Sequence, residues 1–84
     1  MGRYLFGKLT TMSAHLRKRS LILSGHDTSV ALENEFWQVL EHCAAQKKQP
    51  LPALVASIDA ARTPSQSLAS ALRVFALKSL QNQP

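Results

Sequence analysis

Hydrophobic and polar positions alternate over Thr28-Ser29-Val30-Ala31-Leu32, and the alternation passes without a loop into a stretch of helical spacing. Val30 and Leu32 are the apolar pair, whereas Ser29 and Ala31 are small, so a strand of period two puts the two sets on opposite faces. If Val30 and Leu32 face a core, Asp27, Ser29 and Ala31 face out; a slip of one residue would expose the apolar pair instead. The upstream piece SLILS, residues 20–24, is β-prone and ends at Gly25. It either pairs back as a hairpin through Gly25-His26 or extends the strand. One isolated strand can neither satisfy its edges nor bury a face alone. The rest of the chain reads as helix, so the expected partner is the same strand of a second copy, and a dimer is predicted.

Helical spacing predicts a first helix over residues 33–46, with Phe36, Val39, Leu40, Cys43 and Ala44 on one core-facing stripe. Trp37 stands just off that stripe, where it either caps the core edge or belongs to a subunit contact. Glu33 and Glu35 fall in the first turn, where the helix dipole favours negative charge, and Lys47 and Lys48 follow the end. After the connector Lys47-Lys48-Gln49-Pro50, a second helix over residues 51–61 carries Leu51, Leu54, Val55 and Ile58 on one face. Pro50 and Pro52 are tolerable there only at or before the first turn. Thr63-Pro64-Ser65-Gln66 has the capping-box pattern of a third helix start, and Ser67 offers an alternative cap. That helix continues to about residue 80, with Leu68, Leu72, Phe75 and Leu80 as main stripe and Val74 and Leu77 as a second apolar side. The fold class is mainly α with one short β-strand or a hairpin.

A chain of 84 residues forms one domain and buries roughly 60–65% of its unfolded surface. Domains this small usually need disulfides, a metal or oligomerisation. Cys43 is the only cysteine, so no internal disulfide forms and an oxidising compartment gains no support. Ten Lys/Arg against five Asp/Glu give a net charge of +5. The whole excess lies upstream of Gly25, in Arg3, Lys8, Arg17, Lys18 and Arg19, whereas basic and acidic residues balance from His26 onward. A basic N-terminal arm over residues 1–18, expected to be flexible, therefore precedes a nearly neutral folded body over residues 19–84. Such an arm suits a polyanion such as nucleic acid, or simply solubilises. The N-terminal apolar runs reach only two or three residues, far short of the ~18 needed to span a membrane, and a cytoplasmic protein is expected. Met12 opens a segment that could itself be a start.

Catalytic readings fail on geometry. Ser24, His26 and Asp27 lie within four residues, and in a strand Asp27 points away from the other two. His42-Cys43 with His15 and His26 lacks metal-ligand spacing, because adjacent helical residues point about 100° apart. Cys43 is most simply a small core residue. No enzyme, metal or cofactor is expected.

The order strand, helix, four-residue connector, helix resembles the ribbon-helix-helix family, Arc- and methionine-repressor-like, over residues 19–62. More closely, KRSLILSGHDTSVALENEFW, LVASID and SALRVFALKSL are similar to a bacterial subfamily. Lys18, Arg19, Ser20, Gly25, His26, Thr28, Ser29, Phe36, Trp37 and the run of residues 70–75 carry that match. The resemblance implies an intertwined homodimer with an extra C-terminal helix, acting as a sequence-specific transcriptional regulator. Its antiparallel ribbon would enter the DNA major groove. Asp27, Ser29 and Ala31 would then read base edges, while Arg17, Lys18, Arg19, Lys47 and Lys48 contact phosphates. Val30, Leu32, Phe36, Leu40, Leu54 and Ile58 would form the dimer core. Two departures stand out: Asp27 replaces a basic or neutral polar residue, and Lys48 and Pro50 replace a Gly and a capping Ser or Thr. They keep open a second reading, a dimeric antitoxin-like interaction module that meets a protein partner through the C-terminal helix.

Overall fold

The computed structural model describes residues 15–82. Two strands, β1 (Leu16–Leu23) and β2 (His26–Glu33), are followed by three helices, α1 (Asn34–Gln46), α2 (Leu51–Ala61) and α3 (Leu68–Gln81). Residues 16–18 belong to β1, so the arm boundary expected at residue 18 falls inside a strand; residues 1–14 of that arm lie outside the described part.

The strands pair with each other as an antiparallel two-stranded sheet. Of the two readings of residues 20–24, the hairpin is the one formed, so β2 has a partner within its own chain. The turn that makes it possible is Ser24 and Gly25, not Gly25 and His26. Both turn residues have positive φ, +53° and +83°, as a two-residue type I′ hairpin requires. A Cβ on Gly25 would meet nothing within 4 Å, so an alanine there costs backbone strain alone. Gly25→Ala should lower the denaturation midpoint by an amount worth roughly 0.5–1 kcal/mol at unchanged denaturant slope, the left-handed strain less glycine's extra unfolded-state entropy. An unshifted midpoint would mean that residue 25 is not left-handed in solution.

Directly opposed residues share a face. Leu21, Leu23, Val30 and Leu32 are buried on one side of the hairpin, against the helices. Each fully buried aliphatic side chain contributes about 1.5–3 kcal/mol. The other side of the hairpin faces solvent. Leu40, Leu54, Val55 and Leu72 complete the centre of the core. Of the residues expected to form a dimer core, Val30, Leu32, Leu40 and Leu54 are closed off within one chain, and Phe36 and Ile58 are half-buried against them.

Helix phases differ from expectation in two places. On α1 the buried residues are Trp37, Leu40, Cys43 and Ala44, so Trp37 and not Phe36 is innermost. On α3 the buried face is Ala71, Leu72 and Ala76, which leaves Leu80, placed on the main stripe, 52% exposed beside Leu77 at 53%. Its cap is Ser67, whose Oγ accepts the Ser70 N–H at 3.1 Å. Residues 63–66 form a turn, with the Gln66 N–H on the Thr63 carbonyl, and the Arg62 side chain ties that turn to Asp59 at 2.6 Å and to the Gln66 carbonyl at 2.6 Å. With Arg62 holding the loop in this way, the Thr63 capping pattern is not used.

Candidate nucleic-acid interface

The solvent side of the hairpin is built by alternation from both strands. Across it the register sets Lys18 opposite Ala31, Ser20 opposite Ser29 and Ile22 opposite Asp27. The Ser20 and Ser29 hydroxyls stand 3.5 Å apart, which marks the two strands' shared face. Lys18, Ser20, Asp27 and Ser29 are exposed, Ala31 is half-buried, and Ile22 is 65% exposed near the turn. Asp27, Ser29 and Ala31 therefore lie on one outward face, joined there by Lys18, which the sequence places in the arm, and by Ser20 and Ile22 of the β-prone piece. Counting outward from a two-residue turn at Ser24 and Gly25 would have found them.

The consecutive cations Arg17, Lys18 and Arg19 are divided between the two faces. Lys18 points outward, whereas Arg17 and Arg19 stand on the helix side, opposite Leu32 and Val30. Trp37 organises that side. Its indole N–H donates to the Arg17 carbonyl at 2.8 Å, and the Arg19 guanidinium sits 4.9 Å from the centre of its ring. Arg19 also pairs with Glu41 at 3.0 Å. Arg17, Lys18, Arg19, Asn34 and Trp37 line a shallow polar recess where β1 meets the start of α1.

The other end of β2 is fastened by Arg73 of α3. It bonds Glu33 at 3.1 Å and lies over the Phe36 ring at 5.8 Å. The Glu33 carboxyl is held below its usual range by its own backbone N–H first and by Arg73 second. Charge complementarity here locks the hairpin to the helices and leaves its outward face free.

The connector after α1 retains a glycine-type geometry without the glycine. Lys48 has φ +55°, its N–H bonds the Ala45 carbonyl at 3.0 Å, and the Gln49 N–H bonds the Ala44 carbonyl at 3.0 Å. That is the Schellman arrangement, with lysine at the left-handed position that glycine favours. At the start of α2, Pro50 makes no side-chain cap, Pro52 has no N–H, and the Ala53 N–H already bonds the Pro50 carbonyl at 3.0 Å. Few backbone donors remain there for a phosphate. Lys47 and Lys48 are both exposed beside this start.

Cys43 is a buried free thiol, and among the described residues no three His, Cys, Asp or Glu side chains gather as metal ligands. No described helix is long and apolar enough to cross a membrane. No curated protein and no solved structure matches the chain. A family profile described as a ribbon-helix-helix domain matches residues 16–80, from the first residue of β1 almost to the end of α3. With the hairpin, three helices and a profile match over most of its length, the chain belongs to the ribbon-helix-helix family.

Proposed function

We propose that this protein is a sequence-specific DNA-binding transcriptional regulator that acts as a homodimer and places its β-hairpin in the major groove. Members of the family are generally DNA-binding regulators or antitoxins rather than enzymes, and usually bind DNA as dimers. The observation that carries the reading is the hairpin's outward face, where two hydroxyls, one lysine and one aspartate stand clear of the core on a two-stranded ribbon. A ribbon of this width enters the major groove, and short hydroxyl side chains there reach base edges of either kind. Asp27, Ser29 and Ala31 read bases on this proposal. Asp27 accepts from a cytosine amino group, and Ala31 touches a thymine methyl.

Arg17, Arg19, Lys47 and Lys48 supply the phosphate contacts. Arg19 exchanges Glu41 for a phosphate at little cost, since ion pairs this exposed are worth about 0–1 kcal/mol. Each phosphate neutralised adds about −0.9 to the slope of log affinity against log salt. Binding to random duplex at low and moderate salt tests the proposal. Steep salt dependence is expected, and flat or absent binding would reject it. Lys48→Gly separates the lysine's two properties. Relief of its left-handed strain should raise stability by roughly 0.5–1 kcal/mol after glycine's extra unfolded-state entropy is subtracted. Loss of its charge should flatten the salt slope by about 0.9 per chain. A slope unchanged within error would remove Lys48 from the phosphate contacts.

One observation favours a second reading, the dimeric antitoxin-like module. Val74, Leu77 and Leu80 are exposed along α3, and Ile58, Arg62, Val74, Phe75 and Lys78 line a groove between α2 and α3. A protein partner seated there would account for that apolar surface, and such a protein would bind random duplex weakly at either salt concentration.

A further inference from the structure

The hairpin closes within one chain, so its outward face is made of two different strands. We infer that Lys18 and Ser20 of β1 read bases together with β2, and that one chain reads a subsite without two-fold symmetry; the inference rests on the DNA-binding reading. A ribbon made from the same strand of two copies would present identical side chains about a dyad, and its subsite would be a palindrome. Here Lys18 and Ala31 stand across from each other at the open end, Ser20 and Ser29 in the middle, and Ile22 and Asp27 next to the turn.

Successive pairs on one face of a strand lie about 6.8 Å apart, close to two base-pair steps of about 3.4 Å. Three pairs therefore cover a run of roughly four to five base pairs. The chemistry differs along that run. The Lys18 ammonium, a donor only, suits the O6 and N7 acceptors of guanine. The two hydroxyls donate or accept and tolerate several bases. At the far end the Asp27 carboxylate accepts from a cytosine amino group, and the exposed Ile22 meets a thymine methyl. Guanine is thus specified at the open end and pyrimidine features at the turn end.

Position also assigns Lys18 to bases rather than to the backbone. Its neighbours Arg17 and Arg19 stand on the opposite side, where Trp37 bonds the Arg17 carbonyl and the Arg19 guanidinium meets Trp37 and Glu41, and only Lys18 of the three shares the face of Ser20 and Ser29. With that face on the groove floor, the side chains on it meet base edges. A dimer would carry two such hairpins. Its full site would be an inverted repeat of two asymmetric half-sites, spaced by the distance between hairpins.

Selection of bound duplexes from a random pool, run with the full native chain, Lys18→Gln, Lys18→Arg and Ser20→Ala, tests the inference. The native chain should select half-sites that are not self-complementary, with guanine at one end. Lys18→Gln should lose that guanine preference by roughly tenfold or more and gain adenine, the base that an amide side chain pairs with. Lys18→Arg should keep guanine, and Ser20→Ala should relax the central positions alone. Two results would overturn it: a palindrome centred within the short contacted run, or a Lys18→Gln chain that binds every sequence equally less tightly with a slope flatter by about 0.9. No salt-dependent binding by the native chain is a different result, which removes the DNA-binding reading itself and this inference with it. Circular dichroism of each variant separates these outcomes from unfolding.

Discussion

Replacing Trp37 with alanine should cost about 3–5 kcal/mol of folding free energy, the range for deleting a buried aromatic side chain from a core. Trp37 is 2% exposed and is among the largest fully buried side chains of the described chain. It also does more than fill volume. Its N–H satisfies the Arg17 carbonyl on β1, and its ring carries the Arg19 guanidinium. One side chain on α1 therefore fastens β1 to the first helix. A domain of this size has a total stability of roughly 4–12 kcal/mol. Trp37→Ala removes a large part of that and should lower Tm by at least about 12 °C, at about 4–8 °C per kcal/mol. Because Trp37 is the only tryptophan, far-ultraviolet circular dichroism and not fluorescence should follow the transition. Trp37→Phe keeps most of the volume and loses the hydrogen bond, so its loss should be clearly smaller. A Trp37→Ala chain within 1 kcal/mol of the native one would show that the indole does not close this core in solution.

The parts of the fold that follow from local periodicity were readable from the residues. Val30 and Leu32 alternate with small neighbours, and their burial fixes the outward set Asp27, Ser29 and Ala31. The three helices are bounded by prolines, a serine cap and changes of stripe, and their spans came within a residue or two except at α3. The residues alone do not decide the hairpin, for a physical reason. In β1 only Leu21 and Leu23 show the period-two apolar pattern, while the helix side continues through Arg19 and Arg17, which look like surface residues. Their positions there depend on Trp37 and Glu41, contacts that are distant in sequence. Ser-Gly is also a weaker turn signal than Asn-Gly, because serine accepts positive φ less readily. The same reasoning covers the α1 phase. Phe36 and Trp37 both fit a wide apolar stripe, and the approach of the Arg17 carbonyl decides which ring goes inward. Lys48 shows the opposite case: the missing glycine was visible, but only the backbone reveals that its left-handed geometry persists without one.

Substituting Ser29 with glutamate should leave the fold intact and reduce affinity for the selected DNA site by about 100-fold or more. Ser29 is exposed at the middle of the outward face, and its hydroxyl approaches the Ser20 hydroxyl at 3.5 Å. An exposed surface change of this kind shifts stability by about ±0.5 kcal/mol. In the groove the new carboxylate would join Asp27 two residues away on the same face, beneath two phosphate backbones. Like-charge contacts at a desolvated interface cost several kcal/mol. The neutral change Ser29→Ala should do much less, altering base preference at one position with the salt slope intact. That difference between charge and truncation is what distinguishes a groove-facing hairpin from a merely solvated one. If Ser29→Glu binds the native site as tightly as the unaltered chain, the outward face of the hairpin is not the surface that meets DNA. The exposed Val74, Leu77 and Leu80 of α3 then become the stronger candidate for a functional surface.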